Sequence, residues 1–220
     1  MPFEKSWTVA AILLLTVLAS GCAIAPRPYD YAAFRDADPR TLLILPPLNS
    51  SPEVEATYGM LSQMSHPLAE SGYYVLPVAL VDETFKQNGL HTAHDIHHVE
   101  PRKLREIFGA DAALYVDVKD YGSRYMVVSS ATIVTAEARL VDLNNGKTLW
   151  HGAASASSEE GQNNSGGLVG MLVSAVINQI INSATDASYR IAGLTSQRLL
   201  MARPPNGMLY GPRSPRYGKD

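Results

Sequence analysis

Residues 41–46 read Thr-Leu-Leu-Ile-Leu-Pro (TLLILP), with no polar side chain between Leu42 and Pro46. A strand that is buried on both faces of a sheet has this uninterrupted apolar pattern, whereas a half-exposed strand alternates apolar and polar residues. The double proline at 46–47 ends the run, because proline has no N–H to donate to a neighbouring strand. We therefore predict a buried strand here, and we expect the folded domain to begin at Thr41.

The residues that follow alternate between helical and strand patterns. Helices are predicted from apolar side chains at helical spacing, and strands from two further short apolar runs. In chain order these are a helix over 53–69, a strand over 73–77, helices over 78–87 and 101–108, and a strand over 112–118. Strand–helix–strand units of this kind usually place their strands parallel in one sheet.

The pattern then changes to antiparallel strands. A β-rich stretch over 124–143 is followed by Asn144-Asn145-Gly146-Lys147 and by a second strand over 148–156. Asn-Gly is a strong hairpin signal because both residues tolerate the positive φ of a tight turn. Two further helices are predicted over 168–182 and about 186–201. The predicted fold class is α/β (α+β), with a single domain over 41–202: a mixed sheet with βαβ units, an antiparallel hairpin and C-terminal helices.

The N-terminus carries the pattern of an export signal. Residues 7–18 (WTVAAILLLTVL) form an apolar run that suits a signal peptide and is too short to span a bilayer. Residues 19–21 (Ala-Ser-Gly) then precede Cys22, the only cysteine of the chain. Small residues directly before a cysteine match the bacterial lipobox, in which the thiol is acylated and becomes the mature N-terminus. We expect a signal peptide over 1–21 and a lipid anchor on Cys22.

The residue after this cysteine bears on the location of the protein. Ala23, rather than an aspartate, resembles the outer-membrane sorting pattern of Gram-negative lipoproteins. Two acyl chains already give stable membrane anchoring. We therefore expect an outer-membrane protein whose domain faces the periplasm or the cell surface.

Two segments flank the predicted domain without apolar periodicity. Residues 22–40 are rich in Pro, Asp, Arg and Ala, which predicts a lipidated tether. Residues 203–220 hold four prolines and three glycines, which predicts a disordered tail. The whole chain has a formal net charge of −3, whereas a nucleic-acid-binding surface needs a basic face. No nucleic-acid partner is expected.

Motifs for catalysis and cofactor binding are absent from the sequence. There is no G-x-S-x-G, H-E-x-x-H, P-loop or G-x-G-x-x-G pattern. The acidic pairs Asp82-Glu83 and Glu159-Glu160 are adjacent in sequence, and adjacent residues on a helix do not face each other. If Cys22 is acylated, it supplies no thiol nucleophile. We predict a protein that is not an enzyme and that needs no cofactor.

One cluster could hold a metal ion: His91, His94, His97 and His98, with Asp95 among them. If the segment is helical, positions 91, 94 and 98 share a face where zinc or copper could bind. The competing interpretation is a polar surface loop, because nothing in the sequence supplies groups that would orient the imidazoles. We predict no metal site, and a periplasmic ligand- or metal-binding lipoprotein that uses this cluster is the alternative function.

Residues 168–181 (LVGMLVSAVINQII) carry no charge. As a helix they would span about 21 Å, less than the roughly 30 Å of a hydrocarbon core, so a transmembrane helix is disfavoured. Most of the circumference is apolar, so such a helix is either buried in its own domain or covered by a partner. Both interpretations stay open. Under the second, the protein is a homo-oligomer, and the candidate contact residues are Leu168, Leu172, Val173 and Val176.

Five stretches resemble a family of Gram-negative lipoproteins of unknown function (domain of unknown function 799). They are GYYVLPVALVDETFKQNGL (72–90), IFGADAALY (107–115), LVDLNNGKTLWHG (140–152), EGQNN (160–164) and QIINSATDASYRIAG (179–193). The resemblance runs from the lipobox to about Met201. It implies a fold similar to the N-terminal α/β domain of the Tol-system periplasmic protein and to lipoproteins of curli-type and exopolysaccharide secretion. It also implies a non-enzymatic, self-associating accessory or structural component of an envelope assembly, transport or secretion system, in contact with other envelope proteins.

Overall fold

Strand β1 (Thr41–Ile44) is the apolar strand that the sequence predicts, and Leu42, Leu43 and Ile44 are fully buried. It lies between two parallel neighbours, β3 (Tyr74–Val75) on one side and β4 (Ala112–Tyr125) on the other. The computed structural model describes residues 29–125, 130–160 and 187–219. Within these residues, β1 is the centre of the parallel part of the sheet.

The other elements follow in chain order. They are α1 (Ala32–Ala37), β2 (Leu48–Asn49), α2 (Ala56–Glu70), α3 (Val78–Gln87), α4 (Ala93–His97), α5 (Pro101–Phe108), β5 (Ser130–Asp142), β6 (Thr148–Ser157) and α6 (Ala187–Leu200). The sheet order is β3-β1-β4-β5-β6, with β2 pairing with β4 in parallel. Strands β4, β5 and β6 are antiparallel. The predicted fold class, a mixed α/β sheet with βαβ units and a hairpin, is confirmed.

Local sequence signals explain where several elements end. The turn between β5 and β6 has Gly146 at a φ of +74°, the left-handed conformation that the Asn-Gly pair predicts. Its N–H donates to the Asp142 carbonyl at 2.9 Å. One boundary was predicted too short, because β4 continues past Val118 through a bulge to Tyr125. A bulge keeps the strand paired while it adds one residue, which breaks the alternation on which a strand prediction depends.

Helices cover the two faces of the sheet unequally. Helices α1, α2 and α6 pack on one face, with Trp150 and Met60 among the largest fully buried side chains there. Helices α3, α4 and α5 pack on the other face, around Phe85 and Leu104. On this second face, the side chains of β5 and β6 beyond the helices are exposed: Glu137, Arg139, His151, Ala153 and Ser155. The described helices therefore leave the β5–β6 part of this face open.

The segment predicted as a tether is part of the domain from Tyr29 onward. Tyr31 and Phe34 are 5% and 3% exposed and belong to the core that α2 and α6 form. The prediction of a tether is therefore wrong for residues 29–40. A six-residue helix whose one buried side chain is Phe34 has too little periodicity to stand out in the sequence.

The C-terminal segment is likewise packed, and the prediction of a disordered tail is wrong for residues 203–219. Met208 is fully buried, and Leu209 is 5% exposed in the same core. The N–H groups of Gly211 and Arg213 donate to the carbonyls of Ser71 and Gly72 at 2.8 and 3.0 Å. Scattered anchoring residues among prolines hold this segment, so a composition rich in Pro and Gly was misleading here.

Three predictions concern residues outside the described part of the chain: the signal peptide over 1–21, the anchor on Cys22, and the helix over 168–182. Helix α6 coincides with the prediction of about 186–201. In the residues that the structure describes, no helix has both the length and the apolar character needed to cross a membrane.

Candidate functional site

A groove of about 500 Å³ lies beside α4, on the part of the sheet that the described helices leave open. Small-molecule sites commonly measure about 300–1,000 Å³, so the groove can hold a small ligand or a short segment of another chain. Its polar lining residues come from α4 and from three adjacent strands: His97, Tyr115, Asp117, Glu137, Arg139 and His151.

The register of β4, β5 and β6 arranges the floor of the groove in two rows. Tyr115 pairs with Arg139, and Arg139 pairs with His151, so these three residues form the first row. Asp117 pairs with Glu137 two residues further along, and these form the second row. Residues two apart on a strand point to the same face, which places both rows in the groove.

Aromatic and cationic side chains stack in the first row. The Arg139 guanidinium carbon lies 4.2 Å from the centroid of the Tyr115 ring, a cation–π contact. The His97 ring meets the Tyr115 ring edge to face, with centroids 5.2 Å apart and planes at 83°. Nε2 of His97 donates to the Pro46 carbonyl at 2.9 Å, because a carbonyl can only accept. Tyr115 is thus fixed between Arg139 and His97.

Burial controls the protonation of two of these groups. Desolvation lowers the pKa of His97, and the Arg139 charge lowers it further, against the hydrogen bond to Pro46 and the Asp117 charge, which raise it. Desolvation also raises the pKa of the Tyr115 hydroxyl, and Arg139 only partly opposes this. At neutral pH, His97 is therefore neutral and Tyr115 keeps its proton.

The second row is a small network of opposite charges. The Lys119 ammonium contacts Asp117 at 2.5 Å and Glu137 at 3.5 Å. Asp117 also accepts a hydrogen bond from the Ser50 hydroxyl at 2.8 Å. A serine–aspartate pair resembles part of a catalytic triad, but no described histidine bonds to either group. The row therefore presents acceptor oxygens rather than an activated nucleophile.

The four histidines of the sequence cluster do not converge. Helix α4 starts at Ala93, so His91 precedes it, and the expectation that positions 91, 94 and 98 share one helical face is wrong. Nδ1 of His98 donates to the His94 carbonyl at 2.7 Å, and these two rings lie 4.4 Å apart. His97 points instead toward the groove. Across the described residues, no three His, Cys, Asp or Glu side chains are placed to hold a metal ion.

The remaining site residues predicted from the sequence are Cys22 for lipidation and Leu168, Leu172, Val173 and Val176 for an oligomer contact. All five lie outside the described residues. Sequence reasoning missed the groove, although one signal was available: the alternation in β5 sets the exposed Glu137 and Arg139 against the buried Ala136 and Ala138. The pairing of Arg139 with Tyr115 and His151 depends on strand register, which a single sequence does not give.

These features define an α/β domain with a charged groove on an open sheet face. The chain belongs to the family described as "Putative lipoprotein GNA1162-like", whose profile matches residues 29–213. The matched region includes residues 203–213, in agreement with their packing against the domain.

Two relatives give the extent of the likeness. A "Putative lipoprotein NMB1124/NMB1162" of Neisseria meningitidis serogroup B is 51% identical over 207 residues, 93% of this chain and 94% of that protein. The crystal structure of lipoprotein GNA1162 from Neisseria meningitidis is 56% identical, with a TM-score of 0.53, over 66% of this chain and 100% of that one. The resemblance to a lipoprotein family is confirmed, whereas the numbered family name and the likeness to the Tol-system protein stay predictions.

Proposed function

We propose that the chain is a non-enzymatic outer-membrane lipoprotein, anchored through Cys22, whose domain faces the periplasm or the cell surface. It acts through protein contacts, as an accessory or structural component of an envelope assembly, transport or secretion system. Membership of a lipoprotein family supports the anchor.

The open face of β4, β5 and β6 is the observation that carries the protein-contact role. Strand β6 is the last strand in the sheet order, and its ten residues contain neither proline nor a formally charged side chain, apart from the titratable His151. Proteins usually protect such edges with charges, prolines or covering elements, because a free edge can pair with another chain. Near its end, the Ser155 carbonyl accepts from Arg198 at 2.7 Å and the Ser157 N–H donates to Glu160 at 2.9 Å, but in the described part of the chain no strand pairs with the outer edge of β6. A groove that adjoins such an edge is suited to a polypeptide partner.

Site-specific photo-crosslinking in intact cells tests this proposal. We place p-benzoylphenylalanine at Ala153, which is exposed in the groove, and at Val54, which is 89% exposed and outside it. The expected result is a covalent adduct with a defined envelope protein from position 153 and none from position 54. No adduct from Ala153, or the same adducts from both positions, would contradict the proposal.

A second candidate is a periplasmic lipoprotein that binds a small ligand or a metal ion through His91–His98. The position of His97 in the groove favours it. Elemental analysis of protein purified without a tag separates the metal form of this candidate from the first. We expect substoichiometric zinc and copper, whereas one ion per chain that is lost in His94→Ala would favour the second candidate.

A further inference from the structure

One end of the groove carries a hydrogen-bond donor that no described residue uses. Tyr115 is only 5% exposed, yet its hydroxyl has no hydrogen-bond partner in the described part of the chain. In the described residues, every side-chain oxygen or nitrogen that is fully inaccessible has a hydrogen-bond partner. The Tyr115 oxygen has none, so it is accessible, and the groove that its ring lines gives that access. A hydroxyl that opens into the groove can donate to a ligand seated there, which would replace water as its partner.

Arg139 adds a second, charged donor beside this hydroxyl. None of the ion pairs among the described residues involves Arg139. One face of its guanidinium rests on the Tyr115 ring, at 4.2 Å from the centroid. Stacking leaves the N–H edges of a guanidinium free, and those edges match the two oxygens of a carboxylate.

The second row of the groove has the opposite hydrogen-bonding character. Asp117 and Glu137 present carboxylate oxygens that their contacts with Lys119 do not saturate. Because the rows are two residues apart on a strand, they are separated by about 6.6 Å, the length of two extended residues. A ligand that fits both rows therefore has an anionic end and N–H donors about two residues away.

From this arrangement we infer that the groove binds the carboxyl-terminal end of a polypeptide chain. The terminal carboxylate accepts from Arg139 and Tyr115, and the backbone N–H groups that precede it donate toward Asp117 and Glu137. A phosphate fits less well, because it has no N–H donors and would bring a second negative charge near two carboxylates. The inference rests on the proposed protein-contact function and names the chemistry of the partner.

A titration with a matched pair of peptides tests the inference. The probes are acetyl-Ala-Ala-Ala with a free carboxylate and the same peptide with a C-terminal amide. The full chain is purified in detergent micelles with ¹⁵N-labelled arginine, and the Nε–H signal of Arg139 is followed by NMR. The expected result is a saturable shift of this signal with the free acid and none with the amide.

Variants assign the binding to the two donors. Arg139→Gln should weaken binding of the free acid by about tenfold or more, because a hydrogen bond to a charged group is lost. Tyr115→Phe removes only the hydroxyl and should weaken binding by about fivefold. The matched controls are Arg102→Gln and Tyr58→Phe, at positions outside the groove, which should leave binding unchanged. The variants are labelled uniformly with ¹⁵N, so that binding to each is followed by the Ala153 amide signal, and circular dichroism confirms that they are folded.

Three results would overturn the inference: equal binding of acid and amide, no binding of either peptide, or binding that Arg139→Gln does not weaken. Inorganic phosphate that binds more tightly than the free acid would also overturn it, in favour of a phosphate site. The result of the crosslinking at Ala153 is independent of the result of the peptide titration. Peptide binding without an envelope partner would contradict the proposed function alone, and a partner without carboxylate dependence would contradict this inference alone.

Discussion

The Ser71 hydroxyl joins two distant parts of the chain: it accepts a hydrogen bond from the Ala202 N–H at 2.8 Å and donates one to the Pro67 carbonyl at 2.7 Å. Ser71 is 2% exposed, and its own carbonyl accepts from the Gly211 N–H at 2.8 Å. One residue at the end of α2 thus holds the chain both directly after α6 and nine residues later. The C-terminal segment is part of the domain because of such contacts.

Replacing Ser71 with alanine should lower the free energy of unfolding by about 1–3 kcal/mol, because the buried Ala202 N–H loses its acceptor. Denaturant unfolding of the two proteins measures the difference. The control is Ser62→Ala, an exposed serine on the same helix, for which we expect a change within about 0.5 kcal/mol. Equal stability of the Ser71 variant and the wild type would mean that the C-terminal segment is not docked in solution.

Replacing Cys22 with alanine should abolish the lipid anchor, because the cysteine thiol is the acylated group in a lipobox. We expect wild-type protein to take up labelled palmitate and to fractionate with membranes. The variant should incorporate no label and remain as a soluble protein or an uncleaved precursor. Failure of the wild-type protein to incorporate label would show that the anchor prediction is wrong.

Stability should decrease in mild acid because of His97. Burial lowers the pKa of His97 below its ordinary value of 6.5. A histidine with a lowered pKa binds fewer protons when folded than when unfolded, so the free energy of unfolding falls as pH drops through about 6.5 toward the folded-state pKa. The melting temperature of the wild type should therefore decrease between about pH 7.5 and pH 5.

His97→Gln should reduce this pH dependence, because the titrating group is removed while the glutamine amide can still donate to Pro46. His91→Gln, at an exposed position before α4, is the control and should retain the wild-type dependence. Melting temperatures of the three proteins at both pH values give the comparison. An identical slope for His97→Gln and the wild type would refute the assignment to His97.

Self-association stays a prediction from the sequence, and it concerns Leu168, Leu172, Val173 and Val176. If this apolar helix contacts a second copy, Val173→Asp should shift an oligomer toward monomer, because a buried charge is costly. If it lies in the core, the same change should unfold the domain. Light scattering together with circular dichroism distinguishes the two, and a wild-type protein that is monomeric at every accessible concentration would end the oligomer prediction.

The sequence predicts those parts of the fold whose conformation is determined by residues that are close together in the chain. The apolar run of β1 and the Asn-Gly turn at Gly146 each determine the conformation of their own neighbourhood, and both were predicted correctly. The burial of Phe34 and Met208 depends on contacts with distant helices, and no periodicity in residues 29–40 or 203–219 reports it.

The groove was not predictable for a related reason. His97 attracted attention because it lies among other histidines, yet its neighbours across space are Tyr115 and Arg139. These residues come from three elements that are brought together by a crossover and by strand register. The imidazole cluster in the sequence therefore singled out His97 without indicating the residues that it contacts.

Tyr29, the first described residue, touches the groove: its ring lies 5.3 Å from that of His151, and its hydroxyl is 3.3 Å from the His151 Nδ1. It follows Cys22 by seven residues, a stretch that reaches at most about 25 Å when fully extended. On an acylated chain, this short segment would keep the His151 end of the groove close to the lipid headgroups. The carboxyl terminus of a partner that binds there would have to approach along the bilayer surface. The length of the segment between Cys22 and Tyr29 would therefore select partners close to the membrane.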